Sequence, residues 1–315
     1  MATPPNATSL LHEDHQRAED LYQRLVQEPS PDRQEDQVKE LLQALEIHSW
    51  MEERLVYPVL SKACQDDTMA QRLGEGHGEM KRLISDFRLK GGLRGPDGRR
   101  ILGQLMVAVE DHVADEEAEA FPLLAQAAAH NEELGAELAK LKGRMEMFPP
   151  FAQSMDLSVP LQVAYNQWTQ FEDFPRFLSN VKEVTQAGPT RVQWRAEAAG
   201  KDLRWTSEIY EQTPDSRIAW RSVEGSLNAG SVSFRALDGG SSRILVELTY
   251  EPQGVIENLG ALVGVFSRYV ASNLESYKEF IERTRAESGA WRGKVSGNPM
   301  DARKSGGGDV RPGAL

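Results

Sequence analysis

The sequence predicts two domains of different class. The first is an all-α, up-down four-helix bundle; the second is an α+β domain in which an antiparallel sheet wraps a long helix in a helix-grip arrangement. Three observations predict this. Apolar residues recur at steps of three and four up to about residue 143, the spacing of an amphipathic helix face. After Met147-Phe148-Pro149-Pro150-Phe151 the period drops to two, the spacing of half-buried strands. From about Glu257 to Arg285 the helical spacing returns. The 315 residues suffice for two ordinary cores. The boundaries read as a bundle over 1–145, a linker over 146–153, the sheet domain over 154–286 and a disordered tail over 287–315, which carries Lys304-Ser305-Gly306-Gly307-Gly308.

In the first half each predicted helix carries one seam. The seams are Leu11, His15, Ala18, Tyr22, Leu25; then Leu41, Leu45, His48, Glu52, Leu55, Val59; then Leu73, His77, Met80, Ile84, Phe87; and last Leu102, Leu105, Val109, His112, Glu116, Leu123. Turn chemistry separates them at Glu28-Pro29-Ser30-Pro31, at Asp66-Asp67 and from Gly91 to Pro96. Ser30 before Pro31 reads as an N-cap followed by proline at the first helical position. Gly74, Gly76 and Gly78 flank His77 and predict a weakened, mobile stretch of that helix.

The seams contain a duplication. His48-x3-Glu52-x4-Tyr57-Pro58 is matched by His112-x3-Glu116-x4-Phe121-Pro122, and His15 and His77 precede the two copies by 33 and 35 residues. Spacing of i, i+4 puts each His–Glu pair on one helix face. An ionised glutamate in a bundle core costs several kcal/mol unless it is compensated. Two of them, each one turn after a histidine, point to a bound cation. Imidazole and carboxylate without thiolate suit iron, manganese or zinc. The alternative is a metal-free His–Glu network, which is costly when only partly satisfied.

This arrangement resembles the hemerythrin-like (HHE cation-binding) domain over residues 8 to about 130. The resemblance implies a non-haem di-iron centre, with His15, His48, His77 and His112 as terminal ligands and Glu52 and Glu116 as bridges. Three departures stand out. Lys81 occupies the position where oxygen carriers have a second histidine one turn after His77, which implies an open coordination position for dioxygen, nitric oxide, peroxide or water. Glu117 rivals Glu116, because family members often space the last carboxylate one residue further on. His12, one turn before His15, is an additional ligand, a supporting donor or simply exposed.

In the second half, alternating runs include Val192-x-Trp194-x-Ala196, Leu203-x-Trp205-x-Ser207-x-Ile209, Ile218-x-Trp220, Val232-x-Phe234 and Ile244-x-Val246-x-Leu248. The segment from Met155 to Val184, Ile218-Ala219-Trp220-Arg221-Ser222 and the late helix resemble the START-like SRPBCC superfamily, in particular its polyketide cyclase/dehydrase-like branch. That resemblance implies a cavity for an apolar small molecule. Trp194, Trp205, Trp220, Phe234 and Phe266 are the candidates to line it, with packed core as the alternative. No nucleophile–base pair, metal cluster or phosphate loop is visible in this half.

Composition narrows the function further. Residues 1–148 carry 17 basic against 28 acidic side chains, which argues against nucleic-acid binding. No stretch approaches the roughly 20 apolar residues of a membrane span, and the N-terminus lacks the pattern of a secretory signal. The single cysteine, Cys64, suggests a reducing, cytoplasmic setting and reads as a small buried hydrophobe. The expectation is a di-iron protein that senses or handles oxygen, nitric oxide, peroxide or iron, joined to an apolar-ligand domain. The alternative is a di-iron oxidoreductase acting on peroxide or oxygen, with the second domain holding its substrate.

Overall fold

A computed structural model describes residues 6–126, 128–198, 200–251, 259–298 and 300. Helix α1 (Ala7–Gln27) starts at Asn6, whose side chain accepts a hydrogen bond from the Ser9 amide at 2.9 Å. Helix α2 (Pro31–Met51) begins with Pro31 after Ser30. It passes through a π-helical turn, Glu52–Val56, into α3 (Tyr57–Cys64). Helix α4 (Thr68–Leu89) follows, and α5 (Gly98–Asp115) passes through a second π-helical turn, Glu116–Ala120, into α6 (Phe121–Gln126). Both π turns have one cause. Pro58 and Pro122 lack an N–H, and their rings would strike the carbonyl four residues back in a regular helix. The helix widens by one residue instead, so the Tyr57 and Phe121 amides bond to the Glu52 and Glu116 carbonyls.

Helix α7 (Ala128–Met147) is a fifth helix laid on α1 and α2, with Leu134, Leu138, Leu141 and Met145 buried. The bundle has two apolar cores. Leu11, Met51, Leu60, Leu73, Ala120 and Leu138 belong to one, and Ala18, Leu21, Leu45, Met80, Ile84 and Val109 to the other. On every seam the histidine falls where the chain passes from one core to the other, so the polar residues form a layer between them.

The sheet domain contains β1 (Phe151–Leu157), α8 (Leu161–Trp168), β2 (Val181–Gln186), β3 (Arg191–Ala198), β4 (Lys201–Thr213), β5 (Arg217–Gly225), β6 (Asn228–Ala236), β7 (Ser242–Tyr250) and α9 (Leu259–Thr284). The strands form one antiparallel sheet in the order β1-β7-β6-β5-β4-β3-β2. Ile218, Val232, Ile244 and Val246 on one face pack with Leu274, Tyr277 and Ile281 of α9. The opposite, polar face is docked on the bundle. Arg217 donates to Ser85 Oγ at 2.7 Å and Ser233 Oγ at 2.8 Å. Glu247 accepts from Arg88 at 2.8 Å, from Ser231 at 3.1 Å and from Ser85. No helix among the described residues is long and apolar enough to cross a membrane.

Three sequence expectations change. Helix α7 ends at Met147 and β1 begins at Phe151, leaving Phe148, Pro149 and Pro150 as the connection. The tail expected from 287 is packed as far as it is described. Val295 exchanges backbone hydrogen bonds of 2.9 Å with Gln212, Arg292 pairs with Asp215, and Met300 is buried against Gly74. Isolated anchors, Val295 through its backbone and Met300 through its buried side chain, leave no periodic trace in the sequence; residues 301–315 lie outside the described residues. Cys64 is exposed, because it ends α3 immediately before a left-handed residue, Gln65 at φ 53°.

Because Glu247 is shared by both domains, Glu247→Ala is expected to destabilise the whole chain. Breaking such a buried ionic cluster costs about 3 kcal/mol. Urea unfolding followed by tryptophan fluorescence measures the change, and a loss below about 0.5 kcal/mol, the scale of an ordinary surface substitution, would show that the interface is loose.

Candidate metal centre

The polar layer gathers six side chains from four helices and their π turns: His15, His48, Glu52, His77, His112 and Glu116. None is more than 8 % exposed. They fall into two overlapping sets, His15, His48, Glu52, Glu116 and Glu52, His77, His112, Glu116, each with its ligand atoms within 4.8 Å of one another. Both sets share both carboxylates. His48 Nε2 lies 3.0 Å and His77 Nε2 3.2 Å from Glu52 Oε2, while His15 Nε2 and His112 Nε2 each lie 3.5 Å from a Glu116 oxygen.

These residues fit a cation. Both oxygens of Glu52, Glu116 Oε2 and His112 Nε2 are buried without a hydrogen-bond partner. His15 and His48 turn their Nε2 atoms toward each other at 3.2 Å. The Nδ1 of His15 donates to Glu117 at 3.0 Å, and the Nδ1 of His77 donates to Glu53 at 3.1 Å. An imidazole that donates from Nδ1 to a carboxylate keeps its Nε2 lone pair for a metal. Orphaned acceptors aimed at one another are costly in a core and are satisfied by positive charge between them.

Each copy of the motif contributes alike. The first glutamate of Glu52-Glu53 and of Glu116-Glu117 enters the layer. The second holds a lone histidine: Glu53 holds His77 and Glu117 holds His15. The aromatic residue before each proline stacks on that same histidine, Tyr57 on His77 at 5.3 Å and Phe121 on His15 at 5.6 Å. Only the first copy has a hydroxyl. Tyr57 Oη donates to Glu116 Oε1 at 2.9 Å and lies 3.1 Å from His77 Nε2. Seam counting passes over both Tyr57 and Glu53. The signals that could have found them are Tyr57's place in the repeated aromatic-Pro step and the doubled glutamates.

Two of the three departures sit together: His12, His15 and Glu117 form a third, more exposed group whose ligand atoms lie within 4.8 Å of one another. Glu117 is not in the buried layer but bonds His15 and His12 at its edge. His12 is exposed and sits 2.9 Å from Glu117. Lys81 turns to Glu53 and not toward the donor set. Helix α4 is continuous through the glycines around His77, and His77 itself is fully buried. The glycines permit close approach: a Cβ at Gly76 would lie 2.9 Å from His112 Nδ1, and one at Gly74 2.7 Å from Met300 Cγ. A small cavity of about 60 Å³ reaches His15, His48 and His112 past Asp14 and Lys142.

The second domain holds a separate cavity of about 360 Å³. Trp194, Trp205 and Trp220 line it, together with Val192, Leu248 and Tyr277. Phe234 does not; it is 5 % exposed and packs edge-on to Tyr165 and Trp168, filling the space toward α8. The side chain of Phe266 lies outside the described residues.

Comparison with known proteins agrees with both halves. Residues 6–124 match the hemerythrin HHE cation binding domain, and residues 157–283 match the polyketide cyclase/dehydrase and lipid transport family. The chain joins a hemerythrin HHE domain to a polyketide cyclase-type domain. It is similar to an uncharacterized 17.2 kDa protein of Streptomyces lincolnensis, 39% identical over 45% of this chain and 96% of that protein. A crystal structure from Thermus thermophilus is 26% identical over 43% of this chain and 99% of its own, with a TM-score of 0.37. The Zhui aromatase/cyclase of Streptomyces sp. R1128 is 15% identical over 45% and 98%, with a TM-score of 0.38.

Electrostatics of the HHE domain follow from its buried carboxylates. Burial by itself lowers the His112 pKa, but Glu116 and Glu52 outweigh it and raise the value to about 9. His48 shifts the same way: burial opposes, and Glu52, Asp14 and Glu116 prevail. Burial and the neighbouring carboxylates Glu116, Glu52 and Glu53 together push the Tyr57 phenol well up, so it keeps its proton. In the metal-free HHE domain, protonated His112 lends stability that is complete below its unfolded value of 6.5 and is lost as pH rises through about 9. Thermal unfolding of chelator-treated protein should therefore shift down across that interval. Metal-loaded protein should not show the shift, because the cation replaces the protons; equal pH dependence in the two forms would contradict this. Gly76→Ala, which displaces His112, should weaken Co(II) binding about tenfold with the helical circular dichroism unchanged.

Proposed function

We propose that this is a binding or sensing protein in which the HHE domain holds a non-haem centre of two iron ions that engages dioxygen, nitric oxide or peroxide, while the second domain carries an apolar small molecule. The observation that carries the reading is the sharing of Glu52 and Glu116 by two histidine pairs, the donor sharing expected of a dinuclear carboxylate site in a bundle. A nitrogen and oxygen donor set without thiolate suits iron, with manganese and zinc as outcomes that metal analysis would separate. When bound, iron supplies a redox-active Lewis acid at which a small molecule can be held.

The chain's own residues supply the rest. Glu117 and Glu53 orient His15 and His77, and Tyr57 holds a proton at Oη beside Glu116 and His77. The cavity of about 60 Å³ at the histidines suits molecules of a few atoms and is too small for an organic substrate. The large apolar cavity shares no lining residue with it, and the sheet lies between them. That separation favours sensing or small-molecule handling over direct oxidation of the cavity's occupant.

Anaerobic loading with Fe(II) tests the reading. About two irons per chain should be retained, as two histidine pairs on shared carboxylates require. The optical spectrum should then change on adding dioxygen, nitric oxide or peroxide. Glu52→Ala should retain less than one iron while keeping its helical signal. Rapid turnover of peroxide or of an organic substrate by the loaded protein would overturn the sensing role, and failure to retain iron would overturn the iron centre.

A further inference from the structure

Glu53 lies where the two domains meet the metal layer. It is 1 % exposed, and its Oε1 accepts from His77 Nδ1 at 3.1 Å and from Lys81. Its other oxygen lies 3.3 Å from Nη2 of Arg221, a residue of β5 that is 4 % exposed and passes over the Trp50 ring at 5.8 Å. Successive residues of a strand point to opposite faces. Trp220, the neighbour of Arg221, accordingly lines the apolar cavity on the other side of the sheet. One strand thus touches the cavity with one side chain and braces a histidine of the donor set, through Glu53, with the next.

Among the described residues the His15 half of the centre has no such brace. Glu117 occupies the place equivalent to Glu53, but its side chain is 36 % exposed and its other partner is the exposed His12. Other charged contacts between the domains, Arg82 with Glu211, Arg88 with Glu247, and Arg54 and Arg144 with Glu251, end on groups that do not bond the donor set. Trp220 also has little slack: a Cβ at Gly230 would lie 2.7 Å from its ring, so the ring rests on the backbone of β6.

We propose that Arg221 is a positioning residue of the metal centre supplied by the second domain, and that β5 thereby couples occupation of the apolar cavity to the His77 half of the centre. The proposal rests on the cation and cavity roles proposed above. A molecule packed against Trp220 displaces β5, because a close-packed interior transmits small shifts. Arg221 moves with the strand, its hold on Glu53 changes, and Glu53 re-aims the His77 ring. Linkage makes the effect reciprocal: the factor by which the cavity's occupant changes metal affinity is the factor by which metal changes the occupant's affinity.

The test uses the full chain, Co(II) as the metal and N-phenyl-1-naphthylamine as the apolar probe. Co(II) is titrated by its visible bands with and without saturating probe, and the probe by its fluorescence with and without Co(II). In the wild type each should change the other's Kd by the same factor, about fivefold or more, with the probe also shifting the Co(II) bands. Arg221→Met should reduce that factor to less than about twofold and weaken Co(II) binding about tenfold, as loss of an outer support does. Arg221→Lys should recover most of both. Lys81 remains on Glu53 in Arg221→Met, so the fold is expected to persist; if it does not, the wild-type cycle and Arg221→Lys decide. Wild-type affinities that ignore each other overturn the coupling. Unaltered Co(II) affinity and bands in Arg221→Met overturn the positioning role. Either result leaves the cation and cavity reading intact. A wild type that takes up no Co(II) or no probe defeats that reading and the proposal together.

Discussion

Two carboxylates at the centre of an apolar bundle constrain everything around them. Glu52 and Glu116 are essentially without solvent, and three of their four oxygens lack a hydrogen-bond partner. Buried charge of that kind is tolerated only with opposite charge in close reach. His48 and His112 supply part of it in the metal-free chain, where the neighbouring carboxylates push both toward their protonated forms. A cation between the two carboxylates supplies it more fully and frees those protons. The π turns, the prolines that force them and the glycine beneath His112 all serve the same end, by bringing large polar side chains to one layer between two apolar cores.

The second domain has two faces with different tasks. Its apolar face and α9 enclose a cavity large enough for an organic molecule. Its polar face closes over α4 through Arg217 and Glu247 and over the first π turn through Arg221. The period-two alternation along β5 divides those tasks one residue at a time, so the cavity wall and the brace of His77 are consecutive side chains. The two sites are held apart, yet each rests on the same strand.

Much of this was legible in the sequence. Helical and strand periods gave both fold classes, and the His-x3-Glu repeat with His15 and His77 named the residues that meet in the layer. The tryptophans at alternate positions named part of the cavity wall. Other features were not legible for physical reasons. Glu53 and Tyr57 act through tertiary partners, and a π turn shifts the helical phase just where they lie, so seam counting loses them. Phe234 shares its strand face with the cavity residues but lies near the strand's end, where α8 takes up the space. Arg221 looks like an ordinary outward-facing charge until the sheet is docked on the bundle. Lys81 reads in the sequence as the loss of a ligand, whereas its position gains a partner in Glu53.

Anomalous diffraction at the iron edge from crystals of the iron-loaded protein locates the ions directly. Two peaks are expected within the polar layer, one beside His15 and His48 and one beside His77 and His112, with Glu52 and Glu116 between them. A single peak, or iron bound anywhere outside that layer, would contradict a centre of two ions on shared carboxylates.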